Sequence, residues 1–296
     1  MHHMTDQLDP TAIAAGLRTT TLPRTIRCYD SVPSTMDVAR ELLSALHDEQ
    51  LPLLVVADVQ TAGRGRQGRR WEAPPSTALL LSLALRPAWL RPERGVALVW
   101  MTAVALCEAV EEVAPVTAAL KWPNDLLLPV TGDGPPTTNH RPESAAERSS
   151  VVSQSSGYGK AAGILLEVGM GAGGLDWAII GCGVNVSAAP PPATTRYPAT
   201  SLSAAAGEPV SRLALLRALL RRLDSWHSAL IRGDGGELFA AWRRRLITLG
   251  RPVRVETPGG LVEGLAEDVD RSGALLVRDT AGALQTVTAG DVGLPL

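Results

Sequence analysis

The sequence predicts an α+β fold: a mixed β-sheet with flanking helices, followed by a small separate β unit. Three observations carry this expectation. Short apolar runs bounded by Pro or Gly are interspersed with longer segments of helical periodicity, and their order is strands, helix, strands. After Gly250 the texture changes to brief alternating stretches separated by turn residues. A chain of 296 residues, 45% hydrophobic, can bury one large core and carry an appendage, so the expected division is 1–249 and 250–296.

In chain order, residues up to about Arg27 are weakly periodic and too short for a helix-turn-helix DNA-binding domain. Val38, Ala39, Leu42, Leu43 and Leu46 recur at helical spacing behind Ser34 and Thr35, either of which can cap, which predicts a helix over about 35–48. Leu53 to Val59 and Ala78 to Leu85 read as buried strands, Gly95 to Ala114 as a buried helix, and Leu120 to Leu128 as a strand interrupted by proline. Two further apolar strands are expected at Ile164 to Val168 and Trp177 to Val186. Between them, about 130–158 is rich in Pro, Gly, Ser, Thr and charge; such a segment buries too little surface to offset its ordering entropy and is expected to be a mobile insertion. Ala188 to Pro198 is a shorter Pro-rich loop. Ser211 to Ile231 and Gly236 to Leu249 are amphipathic and helical in pattern. Beyond Arg251, turn signals at Pro258-Gly259-Gly260, Arg271-Ser272-Gly273 and Ala281-Gly282 predict four or five strands in a compact SH3-like barrel.

A net charge of -2 gives no overall attraction to nucleic acid or an anionic membrane, and no apolar run approaches the roughly 20 residues of a bilayer span. Cys28, Cys107 and Cys182 are scattered, which argues against a disulfide framework or zinc site and fits a reducing, cytoplasmic setting.

The most informative segment is Gly63-Arg64-Gly65-Arg66-Gln67-Gly68-Arg69-Arg70-Trp71, following a predicted strand. Glycine permits close backbone approach, and guanidinium forks bind carboxylate and phosphate oxygens in pairs, so this is an anion-binding loop by composition. A flexible RNA-contacting segment is the alternative. In Lys121-Trp122-Pro123-Asn124-Asp125, proline holds Trp122 extended; a lysine there offsets phosphate charge and an aspartate helps hold Mg²⁺, unless both are simply solvated. Lys160 precedes a strand containing Gly163, and Gly181-Cys182-Gly183-Val184-Asn185 interrupts an apolar strand with glycines. A ligand lying over the sheet would explain both.

Taken in this order, Ser34-Thr35, Gln60, the arginine loop with Trp71, Lys121 to Asp125, Lys160 to Leu165, Gly181 to Asn185 and the β tail closely resemble the biotin-protein ligase family, from about Tyr29 to the C-terminus. The resemblance implies a class II synthetase-like catalytic fold of the biotin ligase kind. It implies an enzyme that makes biotinyl-AMP from biotin and ATP with Mg²⁺ and passes biotin to a lysine of the biotin carboxyl carrier domain of an acyl-CoA carboxylase. It assigns Ser34, Thr35, Gln60, Gly63, Arg64, Gly163 and Gly181 to biotin. Arg66 and Lys160 fall to the biotin carboxylate and the α-phosphate, as the catalytic pair. Arg69, Trp71, Lys121, Asn124, Asp125 and Asn185 fall to the nucleotide, with Asp125 as the candidate metal ligand. Met36 stands where the family commonly has asparagine. No DNA or membrane partner is expected. The competing readings are a lipoate-protein ligase, which shares the catalytic fold, and a noncatalytic biotin- or nucleic-acid-binding module.

Overall fold

The computed structural model describes residues 6–130, 157–191 and 198–293. The expected insertion at 130–158 lies almost wholly outside the described residues. The large unit is a seven-stranded sheet in the order β1-β2-β3-β7-β6-β5-β4. Edge strand β1 (Thr25–Val32) runs parallel to β2 (Leu53–Gln60). All other neighbours are antiparallel: β3 (Ala78–Leu85), β7 (Gly174–Asn185), β6 (Tyr158–Gly171), β5 (Asp125–Pro129) and β4 (Ala119–Lys121).

Side-chain alternation divides the sheet's two faces between two cores. Leu54, Val56, Leu79, Leu81, Ile180 and Cys182 face α3 (Ala97–Val113), which is apolar nearly all round because α5 (Arg212–Ile231) and α6 (Gly235–Arg245) cover its other side. Leu53, Val55, Ala84 and Ile179 face α2 (Thr35–Ala45) and pack on Met36, Ala39 and Leu43. Helix α2 reaches only part of its face, and the uncovered part is where the motifs gather. Two short helices, α1 (Pro10–Ala14) and α4 (Leu202–Ala206), complete the unit.

Several expectations change. Leu120 to Leu128 is a hairpin and not one strand, since a turn at residues 122–124 reverses the chain between β4 and β5. The strand expected at Ile164 to Val168 runs from Tyr158 to Gly171, because pairing with β5 and β7 on both sides recruits residues of weak β preference. Strand β1 went unpredicted: only Val32 is buried in it, so an apolar signal is missing. Helix α2 ends at Ala45 and α6 at Arg245, both short of expectation.

The tail forms five antiparallel strands, β8 (Pro252–Thr257), β9 (Gly260–Val269), β10 (Leu275–Arg278), β11 (Leu284–Val287) and β12 (Asp291–Gly293), in the order β11-β10-β9-β8-β12. The tryptophan of the Lys121 to Asp125 motif pins it to the large unit. Trp122, 1% exposed, donates its indole N–H to the Gly273 carbonyl at 2.8 Å and its backbone N–H to Thr248 Oγ1 at 3.0 Å. Gly273 sits at φ +84°, and a Cβ there would come within 2.9 Å of Trp100, so this contact needs glycine on both counts.

Candidate active site

Register assembles the floor of the site. Ser82 pairs with Gly181, Gly181 with Leu165, and Gly183 with Gly163, so all share the α2 face. Gly163, Gly181 and Gly183 thus leave a bare strip across β6 and β7. Its present occupants belong to the chain itself. A Cβ on Gly181 would lie 2.7 Å from the Met36 sulfur, and one on Gly183 would lie 2.5 Å from Trp71 Cε2.

A polar cluster closes one end. Thr35 donates its backbone N–H and its hydroxyl to Gln60 Oε1, at 2.8 and 3.0 Å, and accepts from Ser82 Oγ at 2.8 Å. The Gln60 carbonyl is therefore occupied, leaving its amide NH₂ to donate. Ser34 caps α2 by accepting from the Met36 N–H at 3.3 Å, and its own O–H also remains to donate. Ser82 was not anticipated, although a lone polar residue within the apolar run Ala78 to Leu85 was a visible signal.

The arginine loop is a small hairpin. Trp71 N–H donates to Gly63 O at 3.0 Å and Gly65 N–H to Arg69 O at 2.7 Å, with left-handed Gln67 (φ 56°) and Gly68 (φ 72°) at the tip. A Cβ on Gly63 would come within 2.4 Å of the Trp71 carbonyl, which accounts for glycine at the hairpin's base.

Cations and carboxylates interleave beside it. Lys160 Nζ lies 2.7 Å from Asp125 Oδ1, Lys121 Nζ lies 3.6 Å from Asp125 Oδ2, and Arg66 Nη1 donates to Asn124 Oδ1 at 3.2 Å. Arg69 Nη1 bonds Asp291 Oδ2 at 2.8 Å, and Lys121 Nζ donates to Val292 O at 3.1 Å, so β12 of the small unit forms part of the wall. Burial draws Lys121 and Arg66 below their ordinary values, while Asp125 and Asp291 pull both back up. Asp291 itself had not been foreseen.

Of the remaining expected residues, Arg64 turns its guanidinium outward to Asp37 at 2.8 Å and Glu167 at 3.3 Å. Asn124 donates its amide to Ile164 O and fixes the turn to β6. Asn185, 2% exposed, gives its NH₂ to Thr200 O at 3.1 Å, while its Oδ1 is buried with no donor among the described residues. Thr200 escaped prediction because it joins the site only through the pairing of residues 198–200 with Lys160. No group of three metal-ligating residues occurs among the described residues. A cavity of about 460 Å³ near Arg86, Trp89 and His227 contains none of these motif residues.

Residues 28–185 match the Biotin/lipoate A/B protein ligase family, and residues 248–294 match the Biotin protein ligase C terminal domain. The chain belongs to the biotin/lipoate A/B protein ligase family. Among similar family members, the biotin--[acetyl-CoA-carboxylase] ligase of Mycobacterium tuberculosis is 34% identical over 81% of this chain and 78% of its own length. The bifunctional ligase/repressor BirA of Bacillus subtilis is 29% identical over 97% of this chain and 79% of its own. The fold is shared with the biotin protein ligase from Aquifex aeolicus in complex with biotin and ATP, at a TM-score of 0.68 and 23% identity, covering 92% of this chain and 98% of that one.

Proposed function

We propose that this family member is a biotin protein ligase, and that its cation cluster beside a side-chain-free sheet surface is the seat of biotinyl-AMP formation. The observation that carries the reading is the convergence of Arg66, Arg69, Lys121 and Lys160 next to Gly163 and Gly183. Biotin carboxylate and ATP are both anions. At about 4 Å and an effective dielectric near 20, each like-charge pair repels by about 4 kcal/mol, so cations must be supplied where the reactants meet.

In the first step a carboxylate oxygen attacks the α-phosphorus and pyrophosphate leaves. Arg66 and Lys160 hold the carboxylate and the α-phosphate, and Arg69 and Lys121 stabilise the charge growing on pyrophosphate. In the second step the acceptor lysine's neutral amine attacks the acyl carbonyl, and AMP departs with the bonding electrons. The loop, folded over the anhydride, keeps water away until then. Ser34 and Gln60, each with hydrogens to give, suit the ureido oxygen, while Thr35 holds Gln60 in place and Gly63 and Gly181 allow the ring close approach. Asn185 Oδ1, a buried acceptor without a donor, suits the adenine amine, and Trp71 covers the base. Asp125, the carboxylate beside Lys121 and Lys160, would hold Mg²⁺, an ion that takes one or two carboxylates, keeps phosphate and water ligands and would help neutralise the phosphate charge. The acceptor is the biotin carboxyl carrier domain of an acyl-CoA carboxylase, in the cytoplasm.

The test is exchange of labelled pyrophosphate into ATP with Mg²⁺, run with biotin and, in parallel, with lipoate. Exchange with biotin alone is expected. Exchange with lipoate alone would transfer the chain to the lipoate branch of the family, and none with either would remove the adenylation chemistry altogether.

A further inference from the structure

The glycine strip has an end wall that the adenylation chemistry leaves unused. Met36, near the start of α2, lays its thioether on the sheet at Gly181: a Cβ there would fall 2.7 Å from Sδ and 3.0 Å from Cγ, so β7 gives up a side chain to admit this one. The thioether is held firmly. Met36 is 3% exposed, packs with Ala39, Leu43 and Ile179, and donates its backbone N–H to Ser34 Oγ at 3.3 Å. Along one face of β7, Ile179 belongs to the α2 core, Gly181 carries Met36, and Gly183 continues the strip, so core gives way to strip at the sulfur. Its neighbours fix what it faces. Gly181 pairs with Ser82, whose hydroxyl donates to Thr35, and Thr35 donates to Gln60. The sulfur therefore stands beside the polar cluster. Lys160 stands at the next step of the strip, the Gly163–Gly183 pair, where a Cβ on Gly163 would lie 3.4 Å from Nζ.

We infer that Met36 is a specificity-determining residue: its thioether is the stop against which the ring of the acid rests, and it sets the length of acid whose carboxylate meets Lys160. This rests on the glycine strip being the seat of biotin. The polar cluster and Lys160 hold the two ends of such an acid, but alone they measure its length poorly, because a lysine stem is flexible and can follow a displaced carboxylate. A wall that the ring cannot pass turns each added methylene into overpacking. Methionine suits this place. Its unbranched, polarizable side chain moulds to the edge of an apolar ring, and its seat in a core helix keeps it from retreating. Gly181 lets the sulfur lie low on the sheet, at the level of a ring on the strip, so a ring approaching Gly181 meets the sulfur there.

Exchange of labelled pyrophosphate into ATP, run with biotin and with its homologue carrying one more methylene in the acid chain, reads this as a ratio of kcat/KM values. Wild-type protein is expected to favour biotin by about tenfold or more, the usual discrimination against one extra methylene in an apolar pocket. Met36→Ala is expected to narrow the ratio to about twofold, while KM for ATP moves by less than about twofold. Met36→Val, a smaller truncation that serves if the Ala variant fails to fold, is expected in between, and Met36→Leu, of similar volume, to keep the wild-type ratio. A wild-type ratio near one, or a ratio unchanged in every truncated variant that folds, would overturn the stop and leave the ligase reading intact. Absence of exchange with biotin in the wild-type protein would overturn the ligase reading, and the stop with it.

Discussion

At the scale of single residues, Lys160 and its partner Asp125 carry the sharpest consequence. The 2.7 Å pair holds the ammonium at the edge of the glycine strip, where the α-phosphate is expected, and Lys121 lies on the other carboxylate oxygen. An interaction made mainly with the charge that develops during phosphoryl transfer lowers the barrier more than it tightens the ground state. Lys160→Ala is therefore expected to slow single-turnover adenylation about 100-fold or more while ATP affinity in calorimetry changes less than tenfold. Equal losses in both would make Lys160 a ground-state anchor. Most of the proposed site was legible at this scale because glycine, arginine and lysine in unusual alternation have few structural uses. Thr200 and Asp291 were not, since each is ordinary in its local sequence and acquires meaning only from what the fold brings to it, Lys160 and Arg69; Ser82 stands out in its apolar run, but its partner Thr35 is set only by the fold.

Among elements, α2 has the largest dual burden. Its N-terminal cap, Ser34, accepts from Met36 N–H, and its first turn supplies Thr35 to the Gln60 cluster and Met36 to the glycine strip. Loss of the cap in Ser34→Ala should lower stability in urea denaturation by about 1 kcal/mol, and it should raise the biotin KM with no comparable change for ATP. A stability loss without that selectivity would confine Ser34 to capping. The elements read correctly were those with a strong internal period or a continuous apolar run, α3 and β3 above all. Strand β1 and the ends of β6 were hidden because their strand character comes from neighbours: β1 borrows its ladder from β2 alone, and Tyr158 to Gly163 is made a strand by β5 and β7. The β4–β5 hairpin was misread because apolar content continues through its turn while direction does not.

For the whole molecule, the N-terminal segment is fastened to the helical layer through titratable groups. Asp224 accepts from Thr20, Thr21 and Leu22, and His227 Nδ1 lies 2.9 Å from Thr21 Oγ1, with the Trp89 ring edge-on to the imidazole. Burial holds His227 below its ordinary value, with Asp224 pulling it up; burial raises Asp224, but the hydrogen bonds from residues 20–22 outweigh this and leave it lowered. A histidine whose folded-state value is depressed binds fewer protons folded than unfolded, so its contribution is complete above about 6.5 and declines as pH falls below that. Urea stability should therefore drop between pH 7.5 and 5.5, and His227→Gln should flatten this slope; an unchanged slope would move the effect to other groups. The Asp224 contribution is lost only in more acid solution, through the lowered carboxylate value.

The Trp122 to Gly273 bond bears on how such a protein can be recombined. Trp122 belongs to the motif that also supplies Lys121 and Asp125, yet its indole is satisfied by a carbonyl in the small unit. Trp122→Phe leaves that carbonyl without its donor and should lower the urea midpoint by the equivalent of about 1–3 kcal/mol, with resistance to proteolysis near residue 250 falling in parallel. The two units have a common wall rather than a flexible join. A chimaera cut at the sequence boundary would inherit half of that wall, and would work only if the donor of the tail also brought a glycine for the indole, a carboxylate for Arg69 and a backbone oxygen for Lys121. Modularity in this chain is a property of its text more than of its architecture.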